Sequence, residues 1–210
     1  MKLYFSPLAC SLATRISFYE AGANAEFVEV DPKTKKTLDG RDFLSVTSLG
    51  LVPVLDVEGD LLLENAAILQ HVAERLPEAQ LAPTDLLGRA RLQQWLCFIG
   101  TELHKGLFTP LLDKKAPQDA KAYALSKADA RLTWLDEKLA GREFLLDRFS
   151  VADAYLFTIL NWTFVTPVEL KKFPAIFEYY TRLSKRPSIA RAFAEERELY
   201  AKELARHAAA

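Results

Sequence analysis

The rhythm of apolar and polar positions along the chain changes once, near residue 80. Lys2 to Phe5 is a short apolar run closed by Ser6-Pro7 and reads as a strand. From residue 11 to 21, Leu12, Ile16 and Tyr19 recur near the helical period, and Gly22 stands where a helix stops. Residues 27–30 form a second strand-like run, cut off by Asp31-Pro32 and the basic stretch Lys33-Thr34-Lys35-Lys36. Residues 52–57, a Glu58-Gly59-Asp60 turn and residues 61–63 predict a hairpin. Asn65 can then cap a helix that carries Ile68, Val72 and Leu76 on one side. Four strands and two helices in this order suit a small mixed sheet with helices on it, placed at residues 1–77.

Residues 78–86, bracketing Pro83, read as a linker, and no strand pattern follows it. Leu92, Trp95, Leu96, Ile99 and Leu103 form one helical stripe, and Leu125, Ala128, Leu132, Leu135 and Leu139 another that stops at Gly141. Ser150-Val151-Ala152-Asp153 fits a capping box with Phe149 before it, and Pro174 and Pro187 sit where a first helical turn accepts proline. Residues 87–210 are therefore expected to be all-helical, and the alanines after His207 read as a frayed end.

Half of the residues are hydrophobic, so a packed core is within reach and wholesale disorder is excluded. Lys and Arg number 27 against 28 Asp and Glu, a balance that offers no footprint for nucleic acid or anionic lipid. The opening reaches Pro7 without a long apolar stretch, so neither a signal peptide nor a membrane span is expected, and the reading places the protein in the cytoplasm. Cys10 and Cys97 are too few for a disulfide framework or a four-cysteine metal site, and both are expected as free thiols.

Cys10 follows a strand and a Pro-containing turn and precedes the first helix, where unpaired N–H groups and the helix dipole favour a thiolate; the alternative is a small buried hydrophobe at a helix start. Position 13 is alanine, so no resolving thiol follows, and chemistry at Cys10 is of the monothiol kind. Val52-Pro53 opens a strand; a cis bond there would turn the Val52 main chain toward an extended ligand, and a trans proline at an edge is the other reading. Glu64 and the Asn65 N–H, at a positive helix end, match the ammonium and carboxylate of an amino-acid terminus, or they simply complement and cap that helix. His104 comes seven residues after Cys97 and three after Thr101, and a continuous helix would project all three from nearly one face; His104 then reaches the thiolate as donor or cation, or it is a solvated or hydrogen-bonded structural residue. No ligand spacing supports a metal.

These pieces, with Gly50-Leu51-Val52-Pro53-Val54-Leu55, Glu64-Asn65-Ala66-Ala67-Ile68, Glu102-Leu103-His104-Lys105-Gly106 and 150–157 in order, resemble the cytosolic glutathione transferases, specifically the bacterial beta class. The resemblance implies a thioredoxin-like N-terminal domain with a mixed four-stranded sheet, an all-helical C-terminal domain contributing the electrophile site, a homodimer, and glutathione as co-substrate without a metal. It implies that Cys10, followed by Ser11, meets the glutathione sulfur, that Val52 pairs with the tripeptide beside a cis Pro53, and that Glu64 and Asn65 hold the γ-glutamyl end. By the same resemblance Lys35 meets the glycine end or a nearby carboxylate, His104 faces the thiol, Thr101 and Glu102 serve the neighbouring subunit's ligand, and Cys97 replaces a usual asparagine. The implied activity is conjugation of the glutathione thiolate to a hydrophobic electrophile. Monothiol disulfide exchange through Cys10, and a non-catalytic binder of hydrophobic ligands, are the alternatives.

Overall fold

A computed structural model describes residues 1–208, which divide by contact into two compact units. The first comprises Met1–Leu81 together with the last helix of the chain, and the second comprises Ala82–Arg186. The expectation for Ala209 and Ala210 lies outside the described residues.

In the first unit β1 (Lys2–Phe5) runs parallel to β2 (Glu26–Asp31) through α1 (Leu12–Glu20), with Leu3 opposite Phe27. β4 (Val54–Val57) lies antiparallel on the other side of β1, with Leu3 opposite Leu55, and β5 (Asp60–Leu63) closes the hairpin. Glu58 and Gly59 both have positive φ, the two-residue turn whose twist matches the flanking strands.

With Lys36–Thr37 as β3, the sheet has five strands in the order β3-β2-β1-β4-β5, one more than the four expected. The extra strand is β3, antiparallel to β2. Two residues ending a basic loop carry no alternation to read, and only pairing with Val30 and Asp31 makes them a strand.

Period-two alternation gives the sheet two apolar faces. Leu3, Phe5 and Leu55 point to one side, where Phe18 of α1 and Ile68 and Val72 of α2 (Asn65–Arg75) cover them. Tyr4, Val30 and Val54 point to the other and pack with Phe43. The last helix, α8 (Pro187–Ala208), packs on α1, and its Leu199 joins the first of these clusters. Its pattern reads as one more amphipathic helix of the helical half; the packing partner, and so the unit, is set by tertiary contact.

The second unit is helical, as expected: α3 (Leu86–Phe98), a π-helical segment over Ile99–Phe108, α4 (Thr109–Leu112), α5 (Gln118–Leu139), α6 (Val151–Leu160) and α7 (Pro174–Leu183). Every residue of α6 is buried, which its nearly unbroken apolar sequence requires. The capping box at its start forms: Asp153 accepts from Ser150 N–H and Oγ–H, and its second oxygen accepts from Leu145 N–H and Tyr179 O–H. Burial pushes this carboxyl up, and the four donors pull against that. Among the described residues no helix is long and apolar enough to cross a membrane.

Candidate functional site

The chain between β1 and α1 is a compact turn held from three directions. Ser6 Oγ donates to the Val30 carbonyl at 2.7 Å, and Ser11 Oγ donates to the Ser6 carbonyl at 3.3 Å. Leu8 adopts φ +58°, a conformation unfavourable for a side chain of its kind, and its N–H donates to Glu196 Oε2 of α8 at 2.7 Å. Glu196 is wholly buried, and its other oxygen lies 2.9 Å from Arg15 Nε. The Arg15 guanidinium lies over the rings of both Phe5 and Phe27, at 4.3 and 4.0 Å from their centroids. Burial pushes the Glu196 carboxyl up to about 8, against the opposing pull of Arg15 and the Leu8 N–H.

This turn presents Cys10, which is only 8% exposed. Its Sγ donates to the Val52 carbonyl at 3.4 Å, so the thiol is engaged by a main-chain acceptor. The Val52-Pro53 bond is cis, and Val52 stands just outside the ladder, whose pairing begins at Val54. The thiol and an unpaired stretch of strand entry are thereby brought side by side.

Asn65 does not cap α2. The N-cap is Glu64, held at φ +68° without a side-chain cap bond, and Asn65 is the first helical residue. Its Nδ2 reaches 2.9 Å to the Cys10 carbonyl, while its Oδ1 is buried without a partner. A cap would need Asn65 in extended geometry, and the tie to Cys10 draws it inward instead. The first turn of α2 is left with uncapped N–H groups beside Glu64 and behind Cys10. Ser11 is also turned inward: it is fully buried and its hydroxyl belongs to the turn. Lys35, at φ +55°, donates its Nζ to the Gly50 carbonyl at 3.0 Å.

The residues expected in the helical half do not share one face. Cys97 and Thr101 are exposed, with Thr101 Oγ1 donating to the Cys97 carbonyl at 2.9 Å, whereas His104 is 8% exposed. The reason is the π-helical segment that begins at Ile99: its wider turn breaks the 3.6-residue phase on which the expectation relied. Gly106 is part of that geometry, since a Cβ there would lie 2.8 Å from the Thr101 carbonyl oxygen. His104 Nδ1 is 2.7 Å from the Tyr155 hydroxyl, and the Trp162 ring stands edge-on to the imidazole at 5.0 Å. Burial, aided by Lys105, drives its pKa down to about 4, so it is neutral at neutral pH and not a cation. Glu102 is bound by Arg131, at 2.6 Å from both Nε and Nη2. Phe108 is fully buried, so it packs the interior of the second unit.

Three supports escaped the sequence reading: Ser6, Arg15 and Glu196. Arg15 offered a signal, a charge in the middle of α1 beside the apolar Leu12, Ile16 and Phe18; Glu196 sits in the run Glu195-Glu196-Arg197-Glu198, where nothing marks one carboxylate as buried.

A sheet of this topology with a thiol ahead of its first helix and a cis-proline ahead of β4, joined to a helical unit, defines a thioredoxin-like domain followed by an all-helical one. Residues 1–74 match the family model for the glutathione S-transferase N-terminal domain and residues 94–187 that for the C-terminal domain. The chain is 37% identical over 199 residues to glutathione S-transferase GstA of Escherichia coli O157:H7, covering 93% of this chain and 98% of that one. Among solved structures it is similar to a sphingomonad glutathione S-transferase complexed with glutathione and to the bacterial beta class enzyme of Sphingomonas chungbukensis. Each is 41% identical with a TM-score of 0.88, covering 93% of this chain and 98% of the other. The chain belongs to the glutathione S-transferase family.

Proposed function

We propose that this protein is a beta-class glutathione transferase that sets the glutathione thiolate against the electrophilic carbon of an apolar substrate. What supports the reading is the convergence in one unit of Cys10, the Val52 main chain and the uncapped start of α2, together with a relative of the same fold complexed with glutathione. Val52 pairs with the tripeptide as an added strand would. Glu64 takes the γ-glutamyl ammonium and the first N–H groups of α2 take its carboxylate. Lys35 takes the carboxylate of the glycine end. Ser11 acts on the turn, and the Asn65 side chain on the Cys10 carbonyl.

In this reading the Cys10 S–H turns from the Val52 carbonyl to the incoming sulfur, where a donated hydrogen bond favours the thiolate. The thiol of glutathione loses its proton to solvent. Its sulfur then forms the new S–C bond as the leaving group departs with its electron pair. His104 serves as a neutral hydrogen-bonding group in the electrophile-binding unit. The reading extends to a cytoplasmic homodimer with a detoxifying role, in which Thr101 and Glu102 serve the neighbouring subunit's ligand and Cys97 stands in for asparagine.

The attacking sulfur belongs to glutathione, so Cys10→Ser is expected to keep conjugation of an aryl halide. With oxidised glutathione, the Cys10 thiolate attacks one disulfide sulfur, a new S–S bond forms and one glutathione thiolate leaves. Mass spectrometry is expected to find one added glutathionyl group, lost in Cys10→Ala and kept in Cys97→Ala. An unmodified wild-type protein overturns the placement of Cys10. No heat of binding with millimolar glutathione overturns the function.

A further inference from the structure

A second network in the first unit stands behind Lys35. β2 ends at Asp31, and a four-residue loop, 32–35, returns the chain as β3 with Asp31 opposite Lys36. Asp31 builds that loop. Its Oδ1 accepts from Lys33 N–H at 2.8 Å and Thr34 N–H at 3.0 Å, and its carbonyl accepts from Lys35 N–H at 3.0 Å. Lys35 closes the loop in the left-handed region, a conformation that needs outside support in a residue with a side chain. Its stem lies over Gly50, where a Cβ would meet Lys35 Cδ at 3.5 Å.

The remaining oxygen of Asp31 is held from α8. His207 Nε2 lies 2.8 Å from Asp31 Oδ2, and the adjacent Arg206 pairs with Glu29 at 2.5 Å. Glu29 and Asp31 are two apart on β2 and share a face, so consecutive residues of the last helical turn grip one edge of the hairpin. Burial works to raise the Asp31 carboxyl, but the bonds from Thr34, His207 and Lys33 outweigh it and hold the group below its ordinary value.

We propose that His207 is a positioning residue for glutathione binding: by fixing the second oxygen of Asp31 it pre-orders the loop that carries Lys35. The inference rests on the glutathione reading for Lys35. A carboxylate gripped on both oxygens has one orientation, and the two loop N–H bonds keep their geometry. Released on one side, it rotates, and Lys35 must be ordered at the moment of binding. The cost falls on binding and leaves the chemical step untouched.

The test uses the full chain, with glutathione calorimetry and aryl-halide kinetics. His207→Ala is expected to weaken glutathione binding by about 3- to 10-fold, the cost of ordering one long side chain, with kcat at saturating glutathione unchanged. H207Q, whose amide N–H takes the place of Nε2–H, is expected to restore wild-type binding. Lys35→Ala is expected to weaken binding on its own and to abolish the further effect of H207A. Unchanged binding in H207A, or losses that add fully in the double variant, overturn the role of His207 while leaving the function standing. Wild-type protein that binds no glutathione overturns both.

Discussion

The neutrality of His104 has a measurable cost in acid. Its folded-state pKa is depressed to about 4 from an ordinary 6.5, because protonation would place a charge among Tyr155, Trp162 and the apolar interior of the second unit. Between these two values the unfolded chain binds a proton that the folded chain refuses, so the stability contributed by His104 is fully present above 6.5 and is lost as pH falls toward 4. At 1.36 kcal/mol per pK unit the whole loss is about 3 kcal/mol, of which about 2 kcal/mol falls between pH 7 and pH 5. The assay is urea unfolding of wild type and His104→Gln at both pH values. Other groups titrate alike in the two proteins and cancel in the difference. The stability of wild type relative to His104→Gln is expected to drop by about 2 kcal/mol on going from pH 7 to pH 5. A difference that stays level refutes the buried, neutral imidazole. In that event the histidine titrates as an exposed one does.

Glu196 has the opposite sign. Its carboxyl is raised to about 8 from an ordinary 4.5, so wild type is expected to lose stability relative to Glu196→Gln as pH rises from 4.5 to 8, in the same unfolding measurement. At Gly106 an added methyl meets the Thr101 carbonyl at 2.8 Å, and Gly106→Ala is expected to cost about 1–3 kcal/mol. Gly100→Ala is the control, since its Cβ would meet the Tyr155 hydroxyl at an ordinary 3.7 Å, and it is expected to be close to neutral in thermal melts. Asp153→Ala strands four buried donors and is expected to lower stability by about 3–5 kcal/mol, seen as a much reduced melting temperature.

Local pattern carried much of this molecule. The strands at 2–5, 26–31, 54–57 and 60–63 are short runs whose alternation and bounding turns act within a few residues of one another. The capping box at Ser150 and Asp153 and the proline-led helices α7 and α8 are equally local, and so is the place of Cys10 ahead of α1. What lay beyond that range was decided by packing. β3 is a strand only because β2 lies beside it, and α8 joins the first unit because Leu199, Glu196 and Arg206 find partners there. Asn65 became a tie to Cys10, 55 residues away, where its residue type alone suggested a cap. His104 parted from Cys97 and Thr101 because π-helical bonding from Ile99 onward changed the angular step between them. Sequence spacing translates into side-chain direction only while the backbone keeps its period, and partners far along the chain are chosen by shape and burial, which no window of neighbouring residues contains.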